Sequence, residues 1–310
     1  MKEHTHPLLN HPIDVSREFS NLENTLFLPK QLLNFNLKTM MGQIDWNRYA
    51  YKIRTAFNQE GLSLVEQSSW EFPPIYDPYS ELNSFKITFY GNRTVRIQLH
   101  GRSYPHASTS SLMLVNHLKP SPPWPVKHTK NRIIYQSSAG SLIIHQKPWR
   151  LEIRDASHQV LTQTINLEDH RSLRNTDPLP FCFIRPTPNY ARKFAATFQL
   201  HNCEKIYGCG ESFTRLDKRG QKLVLFTYDC HGVQHDGMYK PIPFFMSNRG
   251  YGMFLHTTSP STFDFGYSYG EATTLFTEDE ILDLFIFLGS PKEILSAYTH
   301  CTGRSPMPPF

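Results

Sequence analysis

The chain lacks most of the features that announce a function. Its five cysteines, at 182, 203, 209, 230 and 301, include no Cys-x-x-Cys pair. That excludes zinc-ribbon and thioredoxin-like motifs, and an odd count argues against a disulfide framework. The expectation is small buried thiols in a reducing compartment. No apolar stretch is long enough for a membrane span. The N-terminal MKEHTHPLLNHPIDVSREF has no apolar signal-peptide core, so the expected location is the cytoplasm. The net charge is +5, but Lys and Arg are scattered rather than clustered, which argues against a nucleic-acid footprint. There is no P-loop and no Gly-x-Ser-x-Gly. Most of the 15 histidines stand alone, as surface or satisfied core residues do.

Aromatic residues, by contrast, make up 13% of the 310 positions. They sit in short runs such as FKITFY and LDLFIFLG, which suit sheets better than helices. FKITFY-GN-RTVRIQL reads as two alternating strands around a Gly-Asn turn. RIIYQ-SSAG-SLIIHQ and WRLEIRD repeat the pattern, and further strand-length runs continue to ILDLFIFLG. Many short strands separated by turn signals predict an all-β sandwich or barrel. WNRYAYKIRTAF (46–57) fits either a helix or a strand, and residues 1–40 hold neither period. One helix is well marked, with Ser290 as N-cap, Pro291 at the first position and Glu293 completing a capping box. Ile294, Leu295, Ala297, Tyr298 and Cys301 form its expected apolar face, and Gly303 its stop. RSPMPPF then reads as the start of a linker.

Two segments invite chemical readings. YGCGESFTRLDKRGQ (207–221) opens like a dinucleotide loop, but Phe213 stands where the last glycine belongs. The stretch TRLDKRGQK after it is too charged for the apolar helix such a loop requires, so the nucleotide reading fails. YDCHGVQHDGMYK (228–240) places His231 and His235 at His-x3-His spacing beside Asp229, Cys230 and Asp236. Zincin chemistry needs both imidazoles on one helix face with a Glu beside the first. Gly232 and the missing Glu argue against a metal site here. Asp229 and Asp236 do not qualify as a glycosidase pair either. Nothing in one loop's sequence fixes the separation such a pair needs.

IYGCGESFTRLDKRGQ, YKPIPFFMSNRGYGMFLHTT and GSPKEILSAYTHCTGRSPMPPF, in that order and spacing, resemble glycoside hydrolase family 31. That family includes α-glucosidases, α-xylosidases and related transglycosylases. The resemblance is specific over 180–310 and weaker from about 84, where SAGSLIIHQKPWRLEIRD resembles early sandwich strands. It implies a galactose-mutarotase-like β-sandwich with one C-terminal helix, spanning 41–303. Residues 1–40 stay unassigned, and 304–310 begin a linker to a (β/α)8 barrel. It implies that the Gly-rich segment is a turn and strand whose charges are paired or solvated near that next domain. The 228–239 loop would then help form the substrate pocket, with Asp229 bonding sugar hydroxyls and His231 joining it. An ionised acceptor suits that task.

The family's nucleophile and acid/base belong to the barrel, and no Trp-x-Asp-Met motif occurs in these residues. The expectation is therefore a non-catalytic portion of an enzyme that hydrolyses or transfers α-linked glycosides, without metal or other cofactor. The implied partners are an α-linked oligosaccharide, the barrel and possible further copies of the chain. The alternative is a freestanding carbohydrate-binding or protein-interaction sandwich.

Overall fold

The computed structural model describes residues 14–56, 59–66, 82–100, 111–166, 178–186, 192–227 and 240–307. The segment left unassigned by sequence supplies a 3-10 turn, Val15–Ser20, capped by Asp14, whose carboxylate accepts the Ser16 N–H at 3.0 Å. Strands β1 (Thr25–Asn36), β2 (Met41–Ala56) and β3 (Gln59–Glu66) follow, then the hairpin of β4 (Leu82–Tyr90) and β5 (Thr94–His100). Next come β6 (Val126–His128), β7 (Arg132–Gln136), β8 (Gly140–Gln146), β9 (Trp149–Asp155) and β10 (Val160–Gln163). After them run β11 (Cys182–Arg185), β12 (Lys193–Gln199), β13 (Ile206–Glu211) and β14 (Lys222–Leu225). β15 (Lys240–Ser247), β16 (Tyr251–Leu255), β17 (Ser261–Phe265), β18 (Ala272–Thr277), β19 (Ile281–Leu288) and α1 (Pro291–Thr302) complete the fold.

β6 to β10 form a five-stranded meander in sequence order, each strand pairing with the next. The other strands make a 14-stranded antiparallel sheet ordered β13-β15-β16-β19-β5-β4-β2-β1-β11-β12-β18-β17-β14, with β3 on the flank of β2. The stretch 46–57, readable as helix or strand, lies mostly in β2. Residues 46–50 pair with β1, and residues 49–56 pair with β3. Backbone pairing along both edges overrides the helical period, as tertiary context commonly does. Cys182, Cys209 and Cys301 are buried as expected, whereas Cys203 is exposed.

The two sheets meet through their apolar faces. Ile133, Tyr135, Leu142, Ile144, Leu151 and Ile153 of the small sheet are each no more than 1% exposed. Trp149 at the start of β9 lies edge-on to Phe85 of β4, 5.9 Å away, and to Phe181, 5.1 Å away. Phe89 contacts Trp124 and Tyr135 at 4.8 and 5.0 Å. Such tilted and edge contacts suit the ring quadrupoles and add to the gain from burial.

Helix α1 covers the opposite face of the large sheet. The Glu293 carboxylate accepts the Ser290 N–H at 2.9 Å, as the capping pattern predicts. Gly303 ends the helix at φ 104°. Tyr298 stacks on Phe244 at 4.0 Å, while Ile294 and Cys301 are buried among Phe254, Phe285 and Phe287. Leu295 is the exception to the expected face, at 43% exposed. Ile294, Ala297, Tyr298 and Cys301 follow helical spacing, and Leu295 falls to one side of their stripe. Gly252 permits the close approach, because a Cβ there would lie 2.7 Å from Ile294 Cγ2.

Trp149→Ala removes the ring joining the two sheets. It should cost about 3–5 kcal/mol, read as a lower urea midpoint with a native-like slope.

Candidate functional site

Asp229 and His231, with the rest of residues 228–239, lie outside the described residues. The structure does describe the frame that carries their loop. β14 leads into it and β15 leads out, and β15 pairs with β13, the strand of the Gly-rich motif. The register slips between Gly208↔Phe245 and Gly210↔Pro241, which makes a bulge. Gly208, Cys209 and Gly210 have φ of 129°, 68° and 86°. A Cβ on Gly210 would lie 1.9 Å from Lys240 O and 2.7 Å from Ile242 N. Here glycine is required by backbone handedness and by contact with β15, not by a phosphate.

The motif's charges have local structural tasks. Asp217 Oδ1 accepts the N–H groups of Ile206 and Arg219 at 3.1 and 3.0 Å. Arg219 donates to the carbonyls of His201 and Gly270 at 2.6 and 2.9 Å. The Lys218 ammonium is buried and donates to Thr214 Oγ1 at 2.5 Å and Ser212 Oγ at 3.3 Å. Beside it burial pushes the Cys209 thiol up to about 12, although the lysine charge acts in the other direction. Cys209 is therefore a packed thiol, not a nucleophile at neutral pH. Glu204 accepts from Ser247 Oγ and Tyr251 OH at 2.5 and 2.6 Å, joining the β13 approach to β15 and β16. At this end of the large sheet, Phe213, Leu216, Phe226 and Ile242 are exposed apolar side chains.

Sequence reading missed a second polar cluster. Ser111 Oγ lies 2.6 Å from His256 Nε2, and His256 Nδ1 lies 2.8 Å from Asp283 Oδ2. The order serine–imidazole–carboxylate matches that of acyl-transfer sites. Its surroundings give it a structural task. Arg96 clamps both oxygens of Asp283 at 2.8 and 2.5 Å, and Ser111 Oγ accepts the Met113 N–H at 3.1 Å. The chain of bonds fastens the segment after Ser111 to β19; Met113, Leu114 and Leu118 of that segment pack beside α1. A lone aspartate inside the apolar run ILDLFIFLG was the available signal. Burial raises the Asp283 carboxyl, but the bonds from Arg96 and His256 outweigh it and hold the group below its ordinary value.

With this geometry established, comparison with known proteins gives the family. The model of the glycosyl hydrolase 31 N-terminal galactose mutarotase-like domain matches residues 84–264, more than half of the chain. The chain belongs to that family. It is 26% identical over 242 residues to alpha-glucosidase 2 of Bacillus thermoamyloliquefaciens, covering 76% of this chain and 28% of that protein. It is 37% identical over 107 residues to an alpha-xylosidase of Lactiplantibacillus pentosus, covering 34% and 14% respectively. The chain thus spans well under a third of these relatives. A dextranase from Flavobacterium johnsoniae superposes with a TM-score of 0.60 at 21% identity, over 84% of this chain and 28% of its own. An alpha-1,4-glucan lyase from Gracilariopsis lemaneiformis gives 0.62 at 13%, over 95% and 31%. At these identities the superpositions bear on the fold, which is the galactose-mutarotase-like sandwich. Among the described residues, no helix is long and apolar enough to cross a membrane.

Two predictions test the frame. Gly210→Ala should destabilise the chain by more than the ordinary 1 kcal/mol or so of a glycine change, because the new methyl meets backbone; thermal unfolding reads this. Asp283→Asn should cost about 3–5 kcal/mol near neutral pH by stranding Arg96. A lowered carboxyl stabilises fully above its unfolded value and progressively less as pH falls through its folded value. The gap in urea midpoint between wild type and Asp283→Asn should therefore narrow from pH 5 to pH 2.

Proposed function

We propose that this chain is the N-terminal sandwich of an enzyme acting on α-linked glucosides or xylosides, by retaining hydrolysis or by transfer. The family match over residues 84–264 carries this reading, and relatives named as an alpha-glucosidase and an alpha-xylosidase support the substrate class. In retaining chemistry one carboxylate attacks the anomeric carbon while a second protonates the leaving oxygen. In this proposal both belong to a barrel following the linker that starts at 304, and the domain of residues 41–303 supplies binding groups only. The absence of Trp-x-Asp-Met from the sequence supports that division.

The contribution we assign to this chain is the loop between β14 and β15. Its Asp229 carboxylate accepts bonds from hydroxyls of the sugar beyond the scissile bond, and His231 assists. The close pairing with β13 and the bonded turns at 212–221 give the loop's exit strand, β15, a fixed neighbour. The exposed Phe213, Leu216, Phe226 and Ile242 support the reading that this end of the sheet packs on the barrel.

The test joins the chain to a family barrel and compares Asp229→Ala with wild type. Loss of a hydrogen bond to a charged acceptor costs roughly 1.5–3 kcal/mol. kcat/KM on α-linked oligosaccharides should therefore fall roughly ten- to a hundredfold. An aryl α-glycoside, which lacks those hydroxyls, should lose much less, and the melting temperature should hold. Equal losses on both substrates with a lower melting temperature would make Asp229 a turn residue.

A further inference from the structure

A polar concavity lies where the two sheets converge, beside the Thr164↔Phe198 bridge. Its volume is about 690 Å³, within the range that small molecules occupy. Positive charge comes from Lys30 of β1, Lys147 in the β8–β9 turn and Arg150 of β9, while Gln163, Asn166 and Gln199 supply amides. Glu271 is the one carboxylate of the lining among the described residues and is exposed. Among the described residues no Phe, Tyr or Trp lines it, so recognition there rests on charge and hydrogen bonding.

Two features leave this lining incomplete. Lys30 lies 3.8 Å from Asp45, but among the described residues no carboxylate is within ion-pair distance of Lys147 or Arg150. Arg150 Nη2 is 3.3 Å from His145 Nε2. That nitrogen is 2.8 Å from Glu152 Oε2, so its proton points to the carboxylate and it has no lone pair for the guanidinium. Among the described residues the Arg150 fork thus keeps its donors free beside the cavity. Asn166 is the second feature. Its Nδ2 donates to the Trp149 carbonyl, which fixes the amide's orientation and leaves Oδ1 buried without a donor among the described residues. Buried acceptors are ordinarily satisfied.

We propose that this cavity binds a small polyhydroxylated anion, a sugar carrying a carboxylate or a phosphate. The anionic group sits on the Arg150 fork with Lys147 beside it, and the sugar's hydroxyls bond the lining amides of Gln163, Asn166 and Gln199. Carboxylate and phosphate each present two oxygens that a guanidinium fork binds in parallel. The proposal is independent of the 228–239 loop and of any catalytic step, and it stands or falls separately from them.

Calorimetric titration of the chain with glucuronate, glucose 6-phosphate, glucose and inorganic phosphate tests it. At least one charged sugar should bind roughly tenfold or more tightly than both glucose and phosphate, as a charged hydrogen bond implies. Whichever charged sugar wins identifies the anionic group. Arg150→Gln should weaken that binding roughly ten- to a hundredfold while the melting temperature holds, and Lys205→Gln, at an exposed site outside the lining, should leave it intact. Glucose binding as tightly as the charged sugars would overturn the anion assignment. Phosphate binding as tightly as the sugars would overturn the hydroxyl assignment. No binding of any probe, or full affinity in a folded Arg150→Gln, would overturn the site.

Discussion

The structure depends on covering one long antiparallel sheet with a short one. A sheet of this breadth presents apolar faces that must be buried, and the β6–β10 meander supplies a partner for one of them. The rings of Phe85, Trp149, Phe181 and Phe198 form a continuous line of contacts through this interface. Everything proposed to have function lies where that packing stops. The 228–239 loop leaves from one end of the large sheet, and the cationic cavity opens where the two sheets converge.

The Gly-rich motif shows how a local pattern misleads without its partner strand. Gly208 and Gly210 have the spacing of a phosphate loop, but their task is to let β13 pass close to the backbone of β15 where β15 bulges. The charges that follow satisfy backbone groups of the surrounding turns. Asp217 and Glu204 accept backbone N–H groups of Ile206, Arg219 and His201, and Arg219 donates to the carbonyls of His201 and Gly270. A segment poor in apolar residues is thus held by hydrogen bonds instead of burial.

Much of the fold was legible because its strands are short, alternating and punctuated by turn residues. The β4–β5 hairpin, the β7–β9 run and the capped helix all follow from local chemistry. β1 was not legible because one of its partners, β11, is distant in sequence. The strand state of 46–57 was not legible because its apolar residues fit a helical period as well as its pairing with β1 and β3. Leu295 was placed wrongly because an apolar residue beside a helical stripe can be counted into it. The Ser111–His256–Asp283 chain joins residues up to 172 positions apart, as the numbers 111 and 283 show, and no spacing rule reaches across that interval. The cavity was equally hidden, because Lys30, Arg150 and Gln199 come from three separate stretches.

The central claim is that this sandwich supplies binding groups to a glycosidase pocket formed with a following domain. Hydrogen exchange across residues 228–239, measured on the chain joined to a family barrel, tests it most directly. Adding an α-linked oligosaccharide should slow exchange at Asp229 and its neighbours, and the same sugar should leave the loop unchanged in the isolated chain. Unaltered exchange of this loop in the joined protein, with protection confined to the barrel, would contradict the account.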